Sequence, residues 1–411
     1  MRRRGAIILG GLLSLAGAAA ARTDEVREIG PESNLCLEIN AMAPGSELVL
    51  QPGQYAGPCA IRSGGEPGLP VVIRAKDPLQ PPRIVYGGNT ANVIDVRADH
   101  VTIRGLAFGP TQRGVDGVRI FAWRGITIED CHFSGLGGIA VVANHSSSQG
   151  LTVRRNDIRN SEATAMYFGC HDGLTCVATD LTIEGNYIHT VRAPDPEIGY
   201  GIQVKLNSSG VIRGNMVLDT KGPGIMVYGA TDTDRGSLIE GNVVMGSVRS
   251  SGIVVGGGPA VIRNNVSAGN ATAGVSVEDY ARRGMLRGVV LAHNTLYRNE
   301  QGAVTVARSG YIDVTVMNNA VHSRPGSSIL PEPQPGLRTT GNIDCRAVVC
   351  FLNPEADDFS PLPGGPLVGA GTVLAAPWTP TRDLFGAPRP VPPSTGAIEG
   401  LHGSIRLAPR P

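Results

Sequence analysis

Short stretches of alternating apolar and polar residues recur along this chain, and each is followed by two variable residues and an asparagine. LTVRRN ends at Asn156 and LTIEGN at Asn186, and related phrases follow at intervals of 23 to 30 residues. The seven copies end at Asn156, Asn186, Asn215, Asn242, Asn265, Asn294 and Asn319. Alternation with a period of two predicts β-strands, and a repeat of this length predicts a stack of similar coils.

A second phrase follows most of these copies after a turn. It begins with Gly or Ala and continues with alternating apolar positions, as in GIQVK from Gly201 and GIMVY from Gly224. Two short strands per repeat predict an all-β fold, a single-stranded right-handed parallel β-helix of roughly nine or more coils. Apolar side chains such as Ile202 and Val204 are then expected in the core. The asparagines are expected at the corners as scaffold, where they tolerate left-handed backbone and hydrogen-bond neighbouring coils.

The chain divides into four predicted regions. Residues 1–21 have a basic start, an apolar stretch and an Ala-rich end, which is typical of a signal peptide cleaved near Ala21. Residues 22–95 are expected to form the N-terminal cap and first coils, and residues 96–325 the regular coils. Residues 326–411 are rich in Pro and Gly and are expected to close the helix or pack on it. The mature protein is therefore expected to be secreted or periplasmic, without a membrane anchor.

Composition and charge narrow the expected partners. The chain contains 56 Gly and 30 Pro, and only 4% of its residues are aromatic, as expected for a turn-rich repeat. Because the formal net charge is +1, bulk attraction to nucleic acid is not expected. We expect a monomer that meets any acidic substrate through local contacts.

Seven cysteines fit export to an oxidising compartment. Their spacing suggests three local disulfides, and the seventh, Cys131, takes the place of the asparagine in the phrase ITIEDC. We therefore expect Cys131 to be a buried small residue rather than a nucleophile or a metal ligand. The suggested pairs are Cys36 with Cys59, Cys170 with Cys176, and Cys345 with Cys350.

Outward positions of the second strand are where chemistry is expected, since neighbouring coils form one surface. If the apolar positions point inward, the middle of this surface is polar and aromatic, and carboxylates are nearly absent. That absence argues against a hydrolase, which needs paired carboxylates. The predicted outward pairs are Arg119 and Phe121, Ala140 and Val142, Tyr167 and Gly169, Gln203 and Lys205, Met226 and Tyr228, Val254 and Gly256, and Ser276 and Glu278.

Lys205 is unusual in this sequence. The chain has only three lysines, Lys76, Lys205 and Lys221, among 36 basic residues, so arginine is its ordinary cation. A lysine can lose its proton when its pKa is lowered, whereas an arginine cannot. Lys205 is therefore a candidate general base, although a solvated lysine on a sheet face is the plain alternative.

Several segments resemble a known family. PGQYAG, GLPVVIRA and VDGVRI near the start, and DFSPLPGGPLVGAG and STGAIEG near the end, resemble the right-handed parallel β-helix proteins of the pectin-lyase-like superfamily. The N-terminal part is most similar to the alginate lyase and chondroitinase B branch of polysaccharide lyases. GIQVKLNSSG is similar to the segment that carries the catalytic lysine in the alginate lyases. The arginine that these enzymes place on the next coil is replaced by Tyr228.

The resemblance implies a lyase acting on an acidic, uronate-containing polysaccharide by β-elimination. Lys205 would then be the base, and Tyr228 the proton donor or a hydrogen-bond donor to the sugar. Gln203 and Tyr167 would hold hydroxyl groups or stack on a ring. The flanking loops supply four further candidates for binding the substrate carboxylate, namely His171, His189, Arg192 and Lys221.

Three alternatives remain open. A C-5 epimerase removes the same proton, although its DPHD segment is not matched by DPEI at Asp195. A glycoside hydrolase on the same fold and a non-catalytic carbohydrate-binding or surface-structural β-helix are the others. Asp172, Asp195 and Glu197 are candidate ligands for Ca²⁺, and plain turn carboxylates are the alternative.

Overall fold

The computed structural model describes residues 25–231, 235–307, 313–324, 330–332, 334–373 and 378–408. Within them the chain winds into a parallel β-solenoid of about 12 turns built from three parallel sheets. The predicted signal peptide lies outside the described residues. In the described part of the chain, no helix is long and apolar enough to span a membrane.

Each sheet takes one strand from nearly every coil. Sheet 1 contains Val26–Ile29, Glu47–Leu50, Val71–Ala75, Val101–Arg104, Thr127–Glu129, Thr152–Arg154, Leu181–Glu184, Gly210–Arg213, Ser237–Glu240, Ala260–Arg263, Val289–Ala292, Val314–Met317 and Leu337–Thr340. Sheet 2 contains Gln54–Ala56, Arg83–Val85, Ala107–Phe108, His132–Ser134, Asp157–Ser161, Tyr187–Val191, Met216–Thr220, Val243–Met245, Val266–Ala268, Thr295–Asn299, Ala320–Ser323 and Ile343–Asp344. Sheet 3 contains Cys59–Ile61, Ile94–Val96, Val118–Ile120, Val141–Ala143, Met166–Phe168, Ile202–Val204, Ile225–Val227, Ile253–Val255, Ala273–Val277 and Gly302–Val306.

A few elements lie outside these sheets. Ser148–Gln149 pairs in parallel with Ala178–Thr179, and Phe351–Asn353 pairs in antiparallel fashion with Asp358–Pro361. The helical elements are an α-helix at Leu35–Asn40 and 3₁₀ turns at Tyr280–Arg282 and Pro354–Ala356.

A regular coil contains three strands, one more than the two that the sequence predicted. The asparagine phrase forms the sheet 1 strand and the Gly/Ala phrase forms the sheet 3 strand, with a sheet 2 strand between them. This strand starts directly after the corner asparagine, as Tyr187–Val191 does after Asn186. Only Gly185 and Asn186 separate it from the preceding strand, Leu181–Glu184, so the corner between the two strands is very short.

The corner asparagines form a buried ladder. The side-chain amide of Asn186 donates to the side-chain oxygen of Asn215 at 2.9 Å and to the carbonyl of Val153 at 2.8 Å. The backbone amide of Asn186 donates to the same Asn215 oxygen at 3.0 Å. Equivalent bonds continue along the stack, so each asparagine satisfies polar groups of the coils on both sides. The predicted scaffold role is confirmed.

Cys131 continues the ladder at its N-terminal end. It is buried and unpaired, and its backbone amide donates to the side-chain oxygen of Asn156 at 3.0 Å. Burial raises the pKa of its thiol to about 12, so it is not a thiolate at neutral pH. The expectation of an inert buried residue is confirmed, as are all three predicted disulfides.

The N-terminal end of the apolar core is covered, and a C-terminal segment packs along one side of the coils. The helix Leu35–Asn40 places Leu35 and Ile39 on the first coils. Beyond the last coils, the C-terminal segment turns back along the outside, where Phe351 and Phe359 pack on outward apolar residues of sheet 2.

Candidate functional site

Strand pairing in sheet 3 defines one outward row of side chains. Tyr167 pairs with Gln203, Gln203 with Met226, and Met226 with Val254. Adjacent members of the row are therefore about 4.8 Å apart along the helix axis. Lys205 and Tyr228 follow the row at the ends of their strands, in equivalent places on neighbouring coils.

The predicted outward pair of Ala140 and Val142 does not fit the register of sheet 3. Val142 aligns with Arg119 and with Tyr167, so it belongs to the row, but Ala140 is fully buried and precedes the strand. The phrase from Gly138 enters its strand two residues later than the phrase from Gly117. The number of residues between the first glycine of the phrase and the start of the strand is not constant, because the preceding turns differ in length.

Lys205 is buried beside aromatic rings. Only 4% of the residue is exposed, and its Nζ lies 4.3 Å from the ring centroid of Tyr228 and 5.0 Å from that of Tyr167. Among the described residues no carboxylate forms an ion pair with it. Burial lowers the pKa of Lys205, and Tyr228 partly opposes this effect. The ammonium is therefore held by cation–π contacts rather than by a counter-ion.

His171 connects Lys205 with a later part of the chain. Its Nδ1 lies 3.2 Å from Nζ of Lys205, and its Nε2 lies 3.3 Å from the hydroxyl of Tyr280. A tautomer with the proton on Nε2 satisfies both contacts, because the ammonium then donates to Nδ1. The disulfide between Cys170 and Cys176 closes the short loop that carries this histidine.

Tyr200, Tyr228 and Tyr280 form a tyrosine cluster beside Lys205. The amide of Gln203 donates to the Tyr228 hydroxyl at 3.2 Å, and the Tyr200 and Tyr228 hydroxyls are 3.4 Å apart. The Tyr280 ring meets the Tyr228 ring edge-on, with centroids 4.5 Å apart. Burial raises the pKa values of Tyr200 and Tyr280, so these phenols stay protonated at neutral pH.

These side chains line a cavity of about 500 Å³. The volume lies within the range of small-molecule sites, roughly 300–1,000 Å³. Tyr167, His171, Gln203, Lys205 and Tyr228, all predicted from sequence, lie on its surface. The remaining wall comes from loops that precede the sheet 3 strands, at residues 113–116, 137–139, 162–164 and 197–200.

Three other predicted binding residues lie elsewhere. His189 is on sheet 2, stacked on Tyr187, and Arg192 is paired with Asp219 beyond that strand. Neither lines the cavity. His189 and Arg192 come before the long loop that leads to Tyr200, on sheet 2 or directly after it. Lys205 comes after this loop, at the end of a sheet 3 strand. Position in an inserted repeat was thus insufficient to place them at the site.

Lys221, also predicted to bind the substrate carboxylate, does not line the cavity. It is buried, and its Nζ donates to the carbonyl of Ala193 at 2.9 Å and to that of Glu197. It also pairs with Asp195 at 2.7 Å. Lys221 therefore fastens the loop that forms one wall of the cavity and has no donor left for a substrate carboxylate.

The candidate calcium ligands do not converge. Asp172 accepts hydrogen bonds from Leu174 and Thr175 in its own loop, Asp195 pairs with Lys221, and Glu197 pairs with Arg113 at 3.4 Å. No group of three potential metal-ligating side chains occurs among the residues that the structure describes. These carboxylates do not fit a shared calcium site, and no step is assigned to a metal.

Sequence patterns did not reveal several cavity residues. Tyr200 ends the long loop directly before the phrase from Gly201, and Tyr280 arrives from a loop 109 residues after His171. Asp116, Glu162 and Glu197 add carboxylates to the wall of the cavity. Cavity residues such as Asp116, Thr164 and Tyr200 come immediately before a Gly/Ala phrase, and that position was the available signal.

Comparison with known proteins supports the fold. The sequence-family model described as the right-handed β-helix region matches residues 116–282 of this chain. Pectate lyase Pel9A superposes with a TM-score of 0.54 at 16% identity, covering 92% of this chain and 97% of that chain. No curated protein sequence shows significant similarity.

Two alginate lyase structures are also similar. The PL6 family enzyme AlyGC gives a TM-score of 0.54 at 13% identity, covering 82% of this chain and 55% of the other. The enzyme from Paenibacillus sp. str. FPU-7 gives 0.50 at 14% identity, with 77% and 98% coverage. The chain thus spans about half the length of AlyGC. Identities this low show the fold alone, a right-handed parallel β-helix shared with polysaccharide lyases.

Proposed function

We propose that this protein is a secreted polysaccharide lyase that cleaves a uronate-containing polymer by β-elimination. The observation that carries the proposal is Lys205, a buried lysine without a carboxylate partner among the described residues, on the surface of an open cavity. Burial of Lys205 lowers the cost of releasing its proton. Three disulfides fit an oxidising compartment, which supports export.

Lys205 is assigned the general base. In β-elimination the base removes the proton on the carbon next to the carboxylate, a carbon–carbon double bond forms, and the glycosidic carbon–oxygen bond breaks. Only the neutral amine can accept that proton. Because burial lowers the pKa of Lys205, a larger fraction of the neutral amine is present than for an exposed lysine.

Tyr228 is assigned the proton donor to the leaving oxygen. Gln203 donates its amide hydrogen to the Tyr228 hydroxyl oxygen, so this contact leaves the phenolic proton free for another acceptor. The Tyr228 ring lies against Nζ of Lys205, which keeps the two groups on one side of a bound sugar. Base and acid on the same side suit removal of a proton and a leaving group from the same face.

The substrate carboxylate needs a positive partner. Arg113, which lines the cavity, is the cationic candidate, and His171 on the same surface can add a hydrogen bond. Arg113 is exposed and only loosely paired with Glu197, so its guanidinium is available for exchange of partner. We assign Arg113 and His171 to carboxylate binding in place of His189, Arg192 and Lys221.

A panel of uronate polymers tests the proposal. The native protein should generate ultraviolet-absorbing unsaturated ends on at least one polymer, and Lys205→Arg should abolish this signal because a guanidinium cannot serve as a base. Lys76→Arg is the matched control, since Lys76 is exposed and paired with Glu28 on the first coils. Full activity of Lys205→Arg would refute the assignment. Binding without any product would favour a carbohydrate-binding protein, and altered sugar stereochemistry without cleavage would favour an epimerase.

Glycoside hydrolysis is a second candidate because carboxylates line the same cavity. Burial raises the pKa of Asp116, as expected of a catalytic acid, and Glu162 lies on the exposed wall. Asp116 is, however, bound by Arg119 at 2.6 Å and by the backbone amide of Ile139 at 2.7 Å. A hydrolase would release reducing ends without unsaturation and would lose activity in Glu162→Gln, whereas a lyase would retain it.

A further inference from the structure

The cavity has one open end along the β-helix axis. Its exposed lining residues belong to loops of the coils up to and including that of Lys205, namely Arg113, Gly114, Glu162, His171, Glu197 and Ile198. The last coil that contributes a lining residue is that of Tyr228. The outward row of sheet 3 continues past this point, but among the described residues its later members do not line the cavity.

Apolar packing closes the other end. Met226 and Val254, the next members of the row, are buried in a cluster with Leu206, Tyr228 and Met285. The Tyr280 and Tyr200 rings pack against the same cluster. A polysaccharide lying along the groove would have to displace these side chains to pass beyond Tyr228.

The closing segment is residues 279–287, a loop that folds back over earlier coils. The backbone amide of Tyr280 donates to the carbonyl of Gly256 at 3.0 Å, and that of Gly258 donates to the carbonyl of Met285 at 2.8 Å. A Cβ atom at Gly257 would lie 2.7 Å from that of Met285. The glycines at this level therefore allow the loop to lie directly on the sheet.

Lys205 stands close to this closed end. Its Nζ is 4.3 Å from the Tyr228 ring, which in turn touches the Tyr280 ring. Only a short piece of polymer fits between the reacting position and the tyrosine cluster. The length of that piece is fixed by the walls and not by the length of the polymer.

From this geometry we infer that the protein acts on chain ends: one terminus of an acidic polysaccharide enters the cavity, and a short product of constant length is released. This inference rests on the proposed function and adds its mode of action. Tyr280 and Met285 are the residues that block passage of an internal segment. They act as specificity determinants rather than as catalytic groups.

Product size and viscosity test the inference. The native protein should release one short unsaturated product from the earliest times, with little loss of viscosity. Tyr280→Ala combined with Met285→Ala should open the groove, giving a mixture of product lengths and a severalfold larger viscosity loss per bond cleaved. Tyr280→Phe is the matched control, because it keeps the ring and loses only the contact with His171.

The possible outcomes separate the two proposals. A broad mixture of unsaturated products from the native protein would overturn action at chain ends and leave the lyase assignment intact. The same products and viscosity profile from the native protein and the double alanine variant, with both folded, would overturn the role of residues 279–287. No unsaturated product from any uronate polymer would overturn the proposed function and this inference with it.

Discussion

Replacement of Lys205 by Met separates its catalytic role from its structural one. Methionine has a similar length and no charge, so it can occupy the space between the Tyr167 and Tyr228 rings. Loss of a general base typically lowers the rate about 10²–10⁴-fold. At about 1.36 kcal/mol per tenfold change in rate, this is about 3–5 kcal/mol of transition-state stabilisation. We expect a loss of this size in the initial rate of unsaturated product formation.

Replacement of Lys205 by Met should affect the stability of the protein differently from its activity. Transfer of an ammonium group from water into the protein interior costs several kcal/mol, whereas each cation–π contact returns about 0.5–2 kcal/mol. Lys205 makes two such contacts and no ion pair among the described residues. The desolvation cost therefore exceeds or balances the gain, and we expect Lys205→Met to be as stable as the native protein or more stable at neutral pH.

The effects of Lys205→Met on stability and on activity should both depend on pH. The lowered pKa of native Lys205 means that the folded protein binds this proton less tightly than the unfolded chain. The resulting destabilisation is fully present below the folded pKa and disappears as pH rises towards the unfolded value, about 10.4. The stability advantage of Lys205→Met should therefore shrink in alkaline solution. Native activity should rise with pH and reach its plateau below the pKa of an exposed lysine.

Chemical denaturation and initial rates across pH measure these quantities. Lys76→Met is the control and should leave the rate unchanged, with a stability change within about 1 kcal/mol because Lys76 forms an exposed ion pair. Retention of more than about a tenth of the native rate by Lys205→Met would refute the base assignment. A large loss of stability at neutral pH would show that the ammonium is a structural requirement.

The other predictions concern the proton donor, the scaffold and the loops. Tyr228→Phe keeps the ring beside Lys205 and should lower kcat about 10²–10⁴-fold with little change in KM. Asn215→Ala should lower the free energy of unfolding by about 3 kcal/mol or more in a denaturant titration, because it leaves several buried groups unbonded. Replacing Cys170 and its disulfide partner by Ser should cost about 2 kcal/mol and impair activity, whereas the same change at Cys345 should affect stability alone. Lys221→Met should release the cavity wall and raise KM more than it lowers kcat.

The stack could be predicted from sequence because its signals are local and repeated. An asparagine at a corner is required once per coil, and alternation fixes which face of each strand points inward. Gln203 and Lys205 were placed on one surface for this reason. The slip at Ala140 shows the limit of the method, since turn length before a strand varies without a sequence marker.

The cavity could be predicted only in part because its walls are long-range contacts. Tyr280 meets His171 across 109 residues, and no periodicity relates them. Lys221 was expected to bind the substrate carboxylate because it lies in a loop flanking the Lys205 strand, yet the inserted loop takes up its hydrogen-bonding capacity. Such assignments depend on how loops fold, which the strand repeat does not determine.

The position of the candidate site along the stack follows from these loops. Every coil of sheet 3 presents nearly the same backbone, so strand geometry alone would allow a site at any level. The insertions ending at Cys176 and Tyr200 raise walls beside Lys205, and residues 279–287 cover the row at Met226 and Val254. One continuous surface is thereby divided into an open polar part and a sealed apolar part. The lysine stands at the boundary, where its charge is desolvated and a polymer can still reach it.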